Sequence, residues 1–237
     1  QEDRRKLQLN LVRSHACGVG KPLDLGVTRI TMILKLMTWA KGYSGVRLAL
    51  AQLMADMLNH DILPVIPRKG SVGASGDLAP LAHMARALIG EGDVHFQDRV
   101  MPAMLALKEA NLDSIVLKAK EGLSLINGTQ VSTALGIRAI SESQNLLKTA
   151  DIAGALSTEA SLSTRIVFTP KIHKLKKHPG QVASATNVYN MLQGSDIVHS
   201  HHDCGRIQDS YSVRCIPHVH GSSCEVFSNA EKIICLL

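Results

Sequence analysis

The stretch from Thr129 to Ala160 constrains the fold most strongly, because it keeps helical spacing of apolar residues without a proline. A helix of this length buries its apolar face best against other long helices. Aromatic residues are only 3% of the 237 residues, so the core has to consist mainly of aliphatic and methionine side chains. This composition favours helices over an aromatic-rich β-sandwich, and the sequence therefore predicts a mainly α fold.

Other segments with the same spacing predict further helices at 5–16, 28–41, 47–60, 78–89, 102–111 and 182–194. Short strands are predicted at 116–117 and 123–126, and an exposed basic loop is predicted at 164–181. After Gly221 the residue pattern predicts no further element. The methionines expected in the core are Met32, Met37, Met54, Met57 and Met84.

The net charge of +6 is unevenly distributed along the chain. Residues 164–181 contain no acid and carry the basic residues Arg165, Lys171, Lys174, Lys176 and Lys177. A nucleic-acid-binding protein usually spreads its positive charge along one face or element, so we expect no nucleic-acid partner.

Membrane insertion and a disulfide framework are also not indicated. The most apolar run, at 28–40, is interrupted by Lys35 and does not reach membrane-spanning length. The five cysteines are odd in number, and four of them crowd the last third of the chain. The sequence therefore predicts a protein of the reducing cytoplasm.

The segment GSVGASGDLAPLAHMA at 70–85 carries the most specific chemistry. Ala74-Ser75-Gly76 lies in a loop of small residues, and Asp77 is a suitable N-cap for the next helix, whose positive dipole end would face a group gaining electrons. The Gly76 nitrogen can attack the Ala74 carbonyl carbon, since glycine tolerates unusual dihedrals. Loss of water, and then of the Ser75 hydroxyl as a second water, gives a five-membered ring with an exocyclic methylidene, which is an electrophile.

The residues alone leave other interpretations open. A small-residue loop before a helix needs no chemical function. The loop lacks both the G-x-S-x-G context of a hydrolase serine and the G-K-[ST] ending of a phosphate-binding loop. A second cluster, at 199–224, contains His199, His201, His202, His218, His220, Cys204, Cys215 and Cys224. These are zinc-ligand types, but they form no clean C-x2-C or H-x3-H pair, so no metal site is predicted.

Six stretches together carry a family resemblance: QLNLVRSHACGVGKPL at 8–23, AKGYSG at 40–45, GSVGASGDLAPLAH at 70–83, EGLSLINGTQ at 121–130, HPGQ at 178–181 and QDSYSVRCIPHVHG at 208–221. The set resembles the histidine ammonia-lyases, within the family of methylidene-imidazolone lyases and aminomutases. The GASGDLAPL form and the Ser14-His15 pair resemble the histidine-specific branch. Tyrosine- and phenylalanine-acting ammonia-lyases and aminomutases share much of the set and stay as alternatives.

This resemblance implies an ammonia-lyase-type fold of the fumarase/aspartase-like superfamily. A ring-forming domain at 1–128 would be followed by the start of a central helical bundle at 129–237. Ala74, Ser75 and Gly76 would form the methylidene-imidazolone, so that no external cofactor is needed.

The resemblance also implies roles for five further residues. Asn127 matches the asparagine near the ring, and His15 matches the histidine that contacts the substrate imidazole. Gln208, Tyr211 and Arg214 match the family's Gln, Tyr and Arg set, in which the arginine can hold an α-carboxylate through two hydrogen bonds. Tyr211 can donate a hydrogen bond to the substrate or the ring.

The implied reaction converts L-histidine to trans-urocanate and ammonia in a homotetramer, with the Gln, Tyr and Arg set serving a neighbouring subunit's site. The family's general base is a tyrosine from a loop upstream of the residues present here. The family also adds site residues, including a glutamate, after the stretch 208–221. We therefore expect this chain to be a fragment with little or no lyase activity alone; a non-catalytic or metal-binding fragment that uses the cluster at 199–224 is the remaining alternative.

Overall fold

The computed structural model describes residues 2–236, which form two compact units. The first unit ends at Gly136 and the second begins at Ile137. Both consist mainly of helices, which confirms the predicted mainly α fold. All seven predicted helices are present with slightly shifted ends.

The first unit contains helices α1 (Glu2–His15), α2 (Leu25–Ala40), α3 (Leu48–Asn59), α4 (Leu78–Leu88), α5 (Ala103–Glu109) and α6 (Glu121–Ile126), with strands β1 (Val19–Pro22), β2 (Leu63–Pro64), β3 (Pro67–Lys69), β4 (Asp93–Phe96) and β5 (Arg99–Pro102). The long helix α7 (Gln130–Ala160) begins in this unit and continues into the second. The second unit then contains α8 (Pro170–His173), α9 (Pro179–Met191), α10 (Asp196–Ser200), α11 (Tyr211–Arg214) and α12 (Ile216–Ile234).

Helix α4 lies at the centre of the first unit's core. Leu81, Met84 and Leu88 on this helix are fully buried, and Val12 of α1 and Leu125 of α6 belong to the same cluster. Because α4 is buried along its length, the loop that precedes it is held at a fixed place.

Four of the five methionines that the sequence places in the core are buried. Met32, Met54, Met57 and Met84 are fully buried. Met37 is 52% exposed, because it lies on the face of α2 opposite the buried Lys35.

Two small antiparallel sheets connect the loops of the first unit. Strands β1 and β3 pair with Val19 opposite Lys69 and Pro22 opposite Pro67. Strands β2, β4 and β5 form the other sheet in that order. The β1–β3 pairing holds the segment after α1 beside the segment that leads into the loop before α4.

The second unit has a smaller apolar core and a buried polar cluster. Phe168, Val188 and Leu192 are among its buried apolar residues. The buried Asp151 on α7 accepts hydrogen bonds from Ser184 Oγ at 2.7 Å, Asn187 Nδ2 at 3.0 Å and His220 Nδ1 at 2.9 Å, and we call these four residues the Asp151 cluster. It connects α7, α9 and α12 through hydrogen bonds.

Three sequence predictions of secondary structure are wrong. Residues 123–126 lie in α6 and residues 116–117 lie outside any strand. The basic segment 164–181 folds into short helical turns, because Phe168 and His173 are buried in the core of this unit. The segment after Gly221 continues α12, which packs on α9 where the Gly180 and Gly221 backbones approach too closely for any side chain.

Candidate active site

The loop of residues 70–77 connects β3 to α4 and presents the Ala74-Ser75-Gly76 tripeptide. Ala74 and Ser75 are exposed, and Gly76 is half-buried. Helix α4 begins at Leu78, as the sequence predicts. The tripeptide is therefore held between a strand pairing on one side and a buried helix on the other.

Asp77 occupies the N-cap position of α4 but does not cap the helix through its side chain. It is only 2% exposed, and its Oδ1 has no hydrogen-bond partner among residues 2–236. Its main-chain N–H donates to the Gly128 carbonyl at 3.1 Å. The buried carboxylate thus follows the tripeptide directly, and the backbone bond ties the tripeptide to the segment after α6.

Asn127 lies at the end of α6, with its side chain against Gly76. A Cβ atom built on Gly76 would lie 2.7 Å from Asn127 Oδ1, which is closer than real Cβ atoms approach. A side chain at position 76 would therefore have to displace this amide. The fold therefore brings together the tripeptide and the asparagine that the sequence proposes as its neighbour.

Helix α2 holds the segment around Asn127 at three points along one face. Lys35 Nζ donates to the Asn127 carbonyl at 2.9 Å, Trp39 Nε1 donates to Ser124 Oγ at 3.2 Å, and Thr38 Oγ1 accepts from Gln130 Nε2 at 3.2 Å. Residues 35, 38 and 39 share a helix face because of their spacing. Sequence reasoning missed Lys35 as a site neighbour, although a lone lysine inside an apolar helix was the available signal.

The start of α6 is fixed by an ion pair between the buried Glu121 and the half-buried Arg47. The Arg47 guanidinium donates to both Glu121 carboxylate oxygens, at 2.8 and 2.7 Å, and the main-chain N–H of Lys118 donates at 2.7 Å. Burial alone would raise the pKa of Glu121, but these hydrogen bonds outweigh it and lower the pKa. Residues 121–127 therefore form a fixed support for the Asn127 amide.

His15 ends α1, and the segment after it is tied to α4. The His15 Nδ1 donates to the Leu11 carbonyl at 2.8 Å, and in the neutral ring this bond leaves Nε2 as an acceptor. Gly18 N–H donates to His83 Nε2 at 3.0 Å. Burial, together with nearby Arg86, lowers the pKa of His83 and favours the neutral ring that this bond requires.

Gln208, Tyr211 and Arg214 belong to the second unit. Tyr211 is 74% exposed, and the Arg214 guanidinium lies 4.4 Å from its ring centroid. Arg214 Nε also donates to the Asp209 carbonyl at 2.9 Å. Gln208 and Arg214 line a cavity of about 690 Å³ whose walls include further arginines.

The histidine and cysteine cluster at 199–224 does not come together as a metal site. Among residues 2–236, no group of three or more His, Cys, Asp or Glu side chains could hold a metal ion. All five cysteines are free. In the described part of the chain, no helix is both long and apolar enough to cross a bilayer.

Comparison with known proteins gives consistent matches along the chain. A family model for aromatic amino acid lyases matches residues 1–236. The histidine ammonia-lyase of Myxococcus xanthus is 47% identical over 234 residues, which are 99% of this chain and 46% of that protein. This chain therefore spans about half the length of the curated relatives that it matches.

Solved structures of lyases and aminomutases also match nearly the whole chain, at lower sequence identity. The histidine ammonia-lyase of Trypanosoma cruzi has a TM-score of 0.83 and 38% identity, over 95% of this chain and 42% of that chain. The phenylalanine aminomutase of Pantoea agglomerans has a TM-score of 0.87 and 29% identity, over 97% of this chain and 47% of that chain.

Proposed function

The chain belongs to the aromatic amino acid lyase family, and from this premise we propose that it carries the ring-forming part of a histidine ammonia-lyase. The ammonia-lyase-type fold expected from the sequence is confirmed by the solved structures it matches. The proposed reaction is the non-oxidative deamination of L-histidine to trans-urocanate and ammonia. It breaks the bond from Cα to the amino group and removes one β-proton, which leaves a carbon–carbon double bond.

The close approach of Asn127 to Gly76 is the observation that carries this proposal. The tripeptide fits a methylidene-imidazolone, because Ala74 and Ser75 are exposed and glycine at 76 leaves the space that the Asn127 amide occupies. Once formed, this group supplies an electrophilic carbon without an imported cofactor. The contact between the amide and the tripeptide depends on glycine at position 76, because a Cβ there would displace the amide.

The other proposed site residues bind and orient the substrate. The His15 Nε2 is an acceptor that suits the N–H of a substrate imidazole, since Nδ1 is engaged by the Leu11 carbonyl. Arg214 binds the α-carboxylate through two hydrogen bonds, with Gln208 beside it. Tyr211 donates a hydrogen bond near the reacting atoms.

Assembly, domain division and location are further parts of the proposal. In a homotetramer, the exposed Tyr211 and its neighbours would complete the site of an adjacent subunit. The domain boundary is placed between residues 128 and 129, and the compartment is the cytoplasm. Measuring the molar mass of the assembled protein in solution tests the homotetramer.

A chimera tests the function, because this chain spans about half of its relatives' length. The chain replaces the matching segment of the Myxococcus xanthus enzyme, and the product is given L-histidine, L-tyrosine and L-phenylalanine separately. We expect urocanate from histidine, and loss of this activity in the Ser75→Ala variant. Preferential turnover of tyrosine or phenylalanine would assign the chain to another branch, and activity that survives Ser75→Ala would contradict the proposed chemistry.

A further inference from the structure

Lys35 is among the largest fully buried side chains in the described structure and is only 1% exposed. Lysine is almost never fully buried unless a carboxylate pairs with it. Burial lowers the pKa of Lys35 to about 8, and within residues 2–236 no nearby carboxylate offsets this effect. The amine instead donates to the neutral carbonyl of Asn127 at 2.9 Å.

This arrangement does not favour stability of the fold. An amine with a lowered pKa destabilises the folded state at neutral pH, because the unfolded chain holds the proton more tightly. An apolar side chain of similar length would avoid that penalty. A fold that keeps such a residue in its core therefore has another use for it.

The bond from Lys35 reaches the peptide that connects Asn127 to Gly128. This peptide carries the Asn127 side chain at one end, and the Gly128 carbonyl beyond it accepts from the Asp77 N–H at 3.1 Å. Trp39 and Thr38 hold Ser124 and Gln130 on either side through their side chains. Of these three contacts from α2, only that of Lys35 acts directly on the peptide beside the tripeptide.

We infer that Lys35 is a positioning residue, which fixes the 127–128 peptide so that the Asn127 amide and the Asp77 N–H hold Ala74-Ser75-Gly76 in the geometry of ring closure. This inference rests on the proposed function. Lys35 does not touch the tripeptide in this account; it acts through Asn127 and Gly128. Its removal therefore reduces ring formation and turnover without loosening the core.

The test uses three variants of the full chain carried within the chimera. Lys35→Met removes the donor and keeps an unbranched side chain, Lys35→Arg keeps a donor, and Lys108→Met is a matched control at an exposed helical lysine. Intact mass gives the fraction of protein that has lost two water molecules. Thermal unfolding and the separate kcat and KM values for histidine give stability and turnover.

For Lys35→Met we expect an unchanged or higher melting temperature, a smaller dehydrated fraction, and a kcat per dehydrated protein that falls about 10- to 100-fold with KM nearly constant. Lys35→Arg should recover part of both losses, and Lys108→Met should match the parent chimera.

Two results would overturn the inference. One is wild-type dehydration and turnover in Lys35→Met, and the other is a loss of activity that only follows a loss of stability. If the parent chimera itself is not dehydrated, the proposed function fails, and this inference fails with it.

Discussion

The two groups of proposed site residues are built in different ways. In the first unit, Lys35, Gly76 and Asn127 come from distant parts of the sequence and meet through buried contacts. In the second unit, Tyr211 is largely exposed, and the Arg214 guanidinium makes its hydrogen bond to Asp209 and its ring contact to Tyr211, both close in the sequence. Substitutions of the surrounding residues can therefore disturb the first group. The second group should respond only when one of its own side chains is changed.

The largest expected effect comes from Gly76→Ala, which tests the buried group. Its methyl would displace the Asn127 amide, so turnover by the chimera should fall about 100- to 1,000-fold and dehydration should largely stop. Stability should change little, because the displaced atom ends a side chain. Intact mass and histidine kinetics measure both effects.

The matched control is Gly205→Ala, where an added Cβ meets nothing within 4 Å among the described residues. An active and dehydrated Gly76→Ala protein would show that neither ring formation nor turnover needs the contact between Gly76 and Asn127. The first group would then be no more sensitive to its buried contacts than the second.

The second prediction separates the Asp151 cluster, which we expect to support the fold, from the proposed site residues of the first unit. Asp151→Ala leaves Ser184, Asn187 and His220 without their shared acceptor, so the free energy of unfolding should fall by about 3 kcal/mol. Urea unfolding followed by circular dichroism measures this loss. Glu142→Ala, at an exposed acid on the same helix, should cost less than about 0.5 kcal/mol. Equal losses in the two variants would contradict the buried role of Asp151.

The third prediction concerns the pH dependence contributed by Lys35. Its folded pKa of about 8 lies below the ordinary value of 10.5, so the unfolded chain binds more protons between these values. The contribution of Lys35 to the free energy of unfolding should therefore rise with pH over that range, by about 2 kcal/mol between pH 8 and pH 10. The difference in unfolding free energy between the parent and Lys35→Met isolates this contribution. A difference that stays constant with pH would mean that Lys35 is not buried.

The smallest effect is expected from Arg214→Lys, in the second group of proposed site residues. Arg214→Lys keeps the charge but loses the bidentate geometry, so the KM for histidine should rise about tenfold while dehydration stays complete. Arg5→Lys, on the exposed face of α1, is the matched control and should change neither quantity. Incomplete dehydration in Arg214→Lys would show that the two groups are coupled.

The helices were predictable from sequence because apolar spacing is a local signal. Periodicity located α2, α3, α4 and α7, and the small residues before α4 marked the loop that we propose forms the ring. Strands β1 and β3 were not predicted, since their pairing is set by contacts across some 50 residues rather than by their composition. The part of helix α12 after Gly221 was missed, because it packs on α9 through a close approach of the Gly180 and Gly221 backbones that no local pattern marks.

The residues of the candidate site could be proposed from the sequence only where a motif marks them. Family motifs indicated Asn127 and the tripeptide, but not what supports them. In the sequence, Lys35 only interrupts an apolar run, and nothing local shows that its amine reaches a carbonyl 92 positions later. The same limit applies to Asp77, where the sequence predicts a helix cap and the structure gives a buried carboxylate without a capping bond.

The most direct test is the mass of the tripeptide region in the purified chimera. Proteolysis and mass spectrometry should find the peptide that contains Ala74-Ser75-Gly76 lighter by two water molecules, and Ser75→Ala should not lose the second water. A tripeptide of full, unmodified mass in a folded and assembled protein would contradict the account.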